Sequence, residues 1–227
     1  MEDFFPYVVF TIFGLPVRNT VVSTWIMMVI IVGVAAIIGH RRPAALELLV
    51  DFLLDTISTV MGRPAGLYLP FLGTLAVFIA TANILSVLPA IPLPHSKMFP
   101  IVSPTRDINT PAALALTVFL SVYYFGIRSK GLRGYLKDLA SPIFVLPLEL
   151  ISHLSRTLSL ALRLFGNVLS TELIIAVIFA LVPFIVPIPL TAFSMLTGVL
   201  QAYIFTVLAT VYIAAGLEAG EAESTKT

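Results

Sequence analysis

The stretch Thr157–Ser170, TLSLALRLFGNVLS, decides the fold of this chain. It lies in an apolar run long enough to cross a bilayer, and it contains one arginine, Arg163, with no acid within eight residues on either side. An arginine in hydrocarbon costs about 2.5–3.5 kcal/mol on insertion scales, and a guanidinium cannot avoid that cost by losing its proton. Arg163 therefore predicts a functional site. The alternatives are an arginine that snorkels from a helix end and a structural ion pair.

Polar residues recur through this segment at steps of three or four. On a helix with about 100° per residue they share one face: Glu149, Ser152, Arg156, Ser159, Arg163, Asn167 and Ser170. The residues between them are mostly apolar. Because lipid does not tolerate such a polar stripe, we expect it to face a water path or a partner protein.

The composition predicts an integral membrane protein. Of 227 residues, 59% are hydrophobic and 11% are charged, whereas soluble domains carry about 25% charged residues. The net charge of +1 gives no indication of a nucleic-acid partner. No cysteine is present and the three histidines lack metal-ligand spacing, so neither a metal site nor a cofactor is predicted. The acidic start MEDFF is unlike a cleaved signal peptide.

The hydropathy pattern predicts an all-α membrane protein forming one domain over 1–227, with about five membrane-embedded helices plus an amphipathic interfacial helix. The predicted elements are a span at 20–39, the amphipathic helix at 43–61, spans at 67–88 and 111–127, a long helix at 141–182 and a final helix at 190–217. A short spanning helix with three acids is the alternative at 43–61. The last two helices are expected to form a long, tilted hairpin, joined by a turn containing Pro183, Pro187 and Pro189.

The long helix presents a length problem. About forty residues at ~1.5 Å each exceed a perpendicular crossing, so this helix must tilt, lie partly in the membrane plane, or break at Pro142 and Pro147. The final helix carries its own polar stripe of Ser194, Thr197 and Gln201. We expect Gln201 to face Arg163 and to hold its geometry by hydrogen bonding.

Two basic clusters predict the topology. His40, Arg41 and Arg42 follow the first span, and Arg128, Lys130, Arg133 and Lys137 follow the span at 111–127. Both clusters mark the cytoplasmic side. The N-terminus and the proline-rich loop at 89–110 are then outside, and the C-terminus is cytoplasmic.

Three sequence blocks together resemble subunit a of F-type ATP synthases. They are SLALRLFGN followed by Glu172, the block LTGVLQAYIFTVLATVYIAAG, and the loop stretch SPTRDINTPAALALTVF. The resemblance extends from about residue 20 to the end. It implies a non-catalytic stator subunit that couples proton flow to rotation and ATP synthesis, with a sodium-driven relative as the alternative. A stand-alone cation channel or secondary transporter would need an acid partner for Arg163 within the chain, or internal repeats, and neither is evident.

The resemblance also implies ion-translocation residues. Arg163 matches the family's essential arginine, and the other matched positions are Asn167, Gln201, Glu172 of the outer half-channel, Asp107 of the outer loop and Glu149 near the inner half-channel. Ser194 stands where many members have a histidine that pairs with the outer acid. The implied partners are a ring of c subunits facing Arg163, peripheral-stalk b subunits and the lipid of a bacterial plasma (inner) membrane.

Overall fold

A computed structural model describes residues 8–12, 14–41, 44–62, 65–87, 103–139, 146–182 and 185–218. Within these ranges the chain forms six α-helices: α1 (Asn19–Arg41), α2 (Ala44–Met61), α3 (Leu69–Val87), α4 (Asn109–Leu139), α5 (Leu146–Leu181) and α6 (Pro187–Glu218). A 3-10 helix, Pro104–Arg106, precedes α4. Helices α1, α4, α5 and α6 are long and apolar enough to cross a membrane, and α3 is a shorter apolar helix. The predicted all-α membrane fold is confirmed.

Helix α6 lies at the centre of the bundle, where it packs against α2, α3, α4 and α5. Its buried residues join one apolar core with side chains of the other four helices, among them Ile57, Leu72, Ile79, Val118, Val122, Leu160, Leu164, Phe205, Ile213 and Leu217. Glycine allows the closest approach: a Cβ on Gly216 would lie 2.7 Å from Val122 Cγ1. Small residues at such crossings are how membrane helices gain packing contacts.

A β-hairpin precedes α1, and the sequence analysis missed it. Strand β1 (Val8–Ile12) pairs antiparallel with β2 (Leu15–Arg18), and Gly14 has φ 81° in the connection. The segment is rich in β-branched residues around a glycine, which favours a hairpin. The strands were not predicted because this segment was considered only with respect to membrane spans.

Two helix boundaries differ from the prediction. Helix α4 continues beyond residue 127 to Leu139, with a kink at Gly131 (φ 75°), so the basic cluster lies on a helix rather than in a loop. Helix α6 begins at Pro187, so Pro187 and Pro189 belong to its first turn and not to the connecting turn. A proline is tolerated there because the first N–H groups of a helix have no intrahelical partner. Pro147 likewise lies in the first turn of α5, whereas Pro142 and Pro183 fall outside the described residues.

Helix α5 is the least covered of the long helices. In an 18-residue apolar window of its spanning stretch Ile151–Leu181, only 11% of the residues are buried inside the chain, against 50% in the corresponding window of Pro187–Leu217 of α6. With 36 residues, α5 is about 54 Å long, well beyond the ~30 Å of a bilayer's hydrocarbon core. It therefore tilts or extends past the hydrocarbon, and its open face is available to lipid or to another subunit.

Candidate functional site along helix α5

Arg163 lies at the middle of α5, about 26 Å from either helix end, and its side chain is exposed. Arg156, Ser159 and Ser170 of the predicted polar stripe are exposed too, and Asn167 is half-buried. In the described part of the chain, the ion pairs and hydrogen bonds do not include Arg163. A central position also disagrees with snorkelling from a helix end. The side chain of Glu149 lies outside the described residues.

Gln201 does not hold Arg163, which corrects the predicted hydrogen bond. The Gln201 side chain is only 6% exposed and points into the bundle, and its Nε2 has no hydrogen-bond partner among the described residues. The Arg163 side chain, by contrast, is exposed. Helical spacing predicted a stripe of Ser194, Thr197 and Gln201 on α6, but it did not indicate which neighbouring helix each of them contacts.

Two predicted residues, Asn167 and Ser194, meet at a small polar cavity, here called the Asn167 cavity. Its volume is about 10 Å³, and it is lined by Asn83, Asn167, Val168, Thr171, Ser194, Thr197 and Gly198. That is room for about one water molecule. Asn83 Nδ2 donates a hydrogen bond of 2.9 Å to the Gly198 carbonyl, and Thr105 Oγ1 donates one of 3.3 Å to Asn83 Oδ1. Asn83 was not predicted as a site residue, although an amide in an apolar helix is itself a signal.

A second cavity of about 10 Å³, here called the His153 cavity, lies nearer the start of α5. Its lining is Val118, Phe119, Val122, His153, Arg156, Thr157, Leu160 and Tyr212. The His153 ring lies 5.9 Å from the Tyr123 ring, and the Arg156 guanidinium lies 5.7 Å from the centre of the Tyr212 ring. No role was predicted for His153, because the histidines were tested only for the spacing of metal ligands.

Packed apolar residues separate the two cavities at the level of Arg163. Their nearest lining residues on α5 are Leu160 and Asn167, about 10 Å apart along the helix axis. Leu164 on α5 and Phe205 on α6 fall between the two linings in sequence, and both are fully buried. Buried apolar side chains therefore lie between the two cavity linings, and Gln201 and Thr206 of α6 are buried in the same interval.

Asp107 is buried, and both of its carboxylate oxygens accept hydrogen bonds. Oδ1 accepts from the backbone N and from Nδ2 of Asn109, at 3.2 and 2.8 Å. Oδ2 accepts from Arg18 at 3.0 Å and from Thr20 Oγ1 at 3.3 Å. These contacts join the start of α4 to the start of α1. Both oxygens of the carboxylate therefore bind protein groups that hold the structure together.

Glu172 forms an ion pair that the sequence analysis did not predict. Arg106 Nε lies 3.1 Å from Glu172 Oε2, and the two side chains are 11% and 15% exposed. Oε2 is buried and receives no directed hydrogen bond, so the contact is electrostatic. Burial lowers the pKa of Arg106 and the Glu172 charge opposes this shift, but a guanidinium remains protonated in proteins. The available signal was a basic residue beside Asp107 in a loop between apolar spans.

A bundle of membrane-length helices with an exposed arginine at the centre of one of them defines the class: an integral membrane protein with a charge at a depth that is typical of ion transport. The family model described as ATP synthase A chain matches residues 20–214, and the chain belongs to that family. It is therefore part of the membrane sector of an ATP synthase, a complex of several subunits that couples ion transport to ATP synthesis.

Individual relatives agree with this assignment. The chain is 45% identical to ATP synthase subunit a 2 of a Bradyrhizobium species, over 88% of this chain and 89% of the relative. It is 43% identical to subunit a of Albidiferax ferrireducens, over 88% and 87%. Against subunit a of Legionella pneumophila the identity is 38%, over 98% and 96%.

Proposed function

We propose that this chain is the non-catalytic stator subunit that guides protons across the membrane sector of an F-type ATP synthase, with Arg163 facing the carboxyl groups of a rotating ring of c subunits. The observation that carries the proposal is the exposed guanidinium at the centre of the sparsely covered helix α5. A charge at that depth needs an anion. In the proposed complex a ring carboxylate supplies it.

The proposed mechanism follows from the cost of a charge in lipid. A neutral ring carboxyl group can face hydrocarbon, and an ionised one cannot. Arg163 favours the ionised form by opposite charge, so a carboxyl group that reaches it gives up its proton. Because the guanidinium does not deprotonate, it does not carry the proton across. A potential of 100 mV supplies about 2.3 kcal/mol per charge, which biases the direction of rotation.

Two half-channels on opposite sides of Arg163 complete the proposal. Glu172 and the Asn167 cavity, with Ser194, form the outer path, while the His153 cavity together with Glu149 forms the inner one. The apolar packing at Leu164 and Phe205 supports this division. Asp107 holds the turn before α4 in place, and Gln201 is buried within the bundle.

The proposed setting is a bacterial plasma membrane, with the N-terminus outside and the C-terminus in the cytoplasm. The basic residues after α1 and along the end of α4 support this orientation by the positive-inside rule. The open face of α5 is the proposed contact with the c ring. Peripheral-stalk b subunits would bind elsewhere on the chain.

Substitution of Arg163 tests the proposal in membrane vesicles that contain the assembled complex. Arg163→Ala should abolish ATP-driven proton pumping, and Arg163→Lys should impair it severely because lysine loses the planar guanidinium and can deprotonate when buried. Arg128→Ala is the matched control, since Arg128 is exposed on α4 and bonds only Tyr124 among the described contacts. Pumping that persists in Arg163→Ala at normal assembly levels would overturn the proposal.

Sodium is the second candidate for the transported ion. The Asn167 cavity offers amide and hydroxyl oxygens and no imidazole, and hard cations prefer oxygen ligands. A sodium-coupled complex would accumulate Na⁺ in vesicles even when a protonophore collapses the proton gradient. A proton-coupled complex would show no such accumulation.

A further inference from the structure

In the turn before α4, the neighbouring side chains of Arg106 and Asp107 contact different helices. Arg106 ends the 3-10 helix and contacts Glu172 of α5, whereas Asp107 is extended (φ −95°, ψ 127°) and contacts the start of α1. The turn also packs against α3 and α4. The bonds to Asp107 therefore fix the backbone from which Arg106 reaches Glu172.

Glu172 needs a cation where it lies. Its side chain is largely buried, and the next two residues of α5, Leu173 and Ile174, are exposed apolar side chains. A buried carboxylate stays charged only if an opposite charge or several hydrogen bonds compensate its lost hydration. Among the described residues, Arg106 is the ion-pair partner that provides this charge.

Along α5, Glu172 is next to residues that line the Asn167 cavity. It directly follows Thr171 and lies one helical turn after Val168, and both of those residues line the cavity. Asn83, on the opposite wall, accepts a hydrogen bond from Thr105, the residue before Arg106. The turn thus contacts both the cavity wall and the acid beside it.

We propose that Arg106 is a positioning residue of the outer ion path, which holds Glu172 as an oriented carboxylate at the edge of the Asn167 cavity. This inference rests on the proposed function, because it assumes that ions pass Glu172. A guanidinium suits the task, since it supplies a permanent charge and does not itself accept or release the passing proton.

The test is passive proton flow through the membrane sector in vesicles, with the amount of assembled complex measured by immunoblot. Arg106→Ala should lower the flow about tenfold or more, because it leaves the buried carboxylate uncompensated. Arg106→Lys should restore a substantial part of it. The matched control is Arg128→Ala, which removes an exposed arginine of α4 whose side chain bonds Tyr124. Arg128 does not belong to the turn before α4, and it does not line the Asn167 cavity, so the flow should stay near the wild-type level.

A double substitution separates positioning from a merely structural role. If Arg106 acts through Glu172, then Arg106→Ala should reduce the flow no further once Glu172→Gln is present. Multiplicative losses, or no rescue by Arg106→Lys, would overturn the inference. If Arg106→Ala fails to assemble, Arg106→Gln, which keeps hydrogen-bonding capacity without charge, gives the same comparison. Unchanged flow in Glu172→Gln would instead remove Glu172 from the proposed outer path, whatever Arg106 does.

Discussion

Gly198 of α6 lies close against Asn83 of α3, and its replacement by alanine tests the packing directly. A Cβ at residue 198 would lie 2.9 Å from Asn83 Cβ and 3.7 Å from Asn83 Cγ and the Asn83 carbonyl carbon. Carbon atoms pack best at about 3.5–4.0 Å. The two helices would therefore have to separate, or Asn83 would have to move, by roughly 0.5–1 Å.

The expected loss combines three terms. Overpacking of this kind costs about 1–3 kcal/mol. The hydrogen bond from Asn83 Nδ2 to the Gly198 carbonyl, 2.9 Å long, would stretch, and side-chain hydrogen bonds in membrane proteins contribute about 0.6 kcal/mol on average. Alanine returns up to about 1 kcal/mol of helix propensity. The net prediction is a destabilisation of about 0.5–2.5 kcal/mol.

The measurement is the free energy of unfolding of the purified full chain in mixed detergent micelles, followed by circular dichroism as the fraction of denaturing detergent rises. Gly33→Ala on α1 is the matched control, because among the described residues no atom lies within 4 Å of a Cβ placed there. Gly33→Ala should leave stability unchanged or raise it slightly. If Gly198→Ala unfolds at the same detergent fraction as Gly33→Ala, the close approach of α3 and α6 is refuted.

Two further predictions concern the turn before α4 and the topology. Asp107→Ala should lower the free energy of unfolding by about 1–3 kcal/mol, because it leaves Thr20, Asn109 and Arg18 without their shared acceptor. Asp107→Asn should lower it less. If the wild type and both variants were equally stable in the same detergent assay, this account would be contradicted. Single cysteines at Ser129, near the end of α4, and at Ser96, outside the described residues, should react with a membrane-impermeant reagent from opposite sides of the membrane, and labelling of both from one side would contradict the proposed orientation.

The sequence predicted the features that depend on local periodicity. Long apolar runs identify membrane helices because the bilayer fixes their length. Helical spacing fixes which residues share a face, and Arg156, Ser159, Arg163 and Ser170 of the predicted stripe are exposed on α5; that the stripe faces a water path or a partner protein stays a prediction. The hairpin at Val8–Arg18 was missed because the same apolar residues were interpreted only against membrane spans. The prediction that Pro187 belongs to the connecting turn was wrong, because a proline is compatible with the first turn of a helix and α6 begins at Pro187.

Contacts between distant parts of the chain could not be predicted in the same way. Arg106 and Glu172 meet because the turn before α4 packs on α5, and no periodicity links the two positions. The error at Gln201 has the same origin: helical spacing defined its stripe but not the helix that the stripe would face. Pairings of this kind depend on the tertiary arrangement of the bundle.

Arg163, at the middle of α5, and Glu172, nine residues later, are kept apart by the geometry of the helix itself. Arg163 and Glu172 are nine residues apart, which places them about 180° around the helix and ~14 Å along its axis. They therefore cannot neutralise each other, although each is the nearest opposite charge to the other along α5. Glu172 is compensated from within the chain by Arg106, whereas Arg163 remains exposed. This unequal compensation supports the division of roles: a carboxylate held in place at the edge of a cavity, and a guanidinium left free to meet an acid supplied by another subunit.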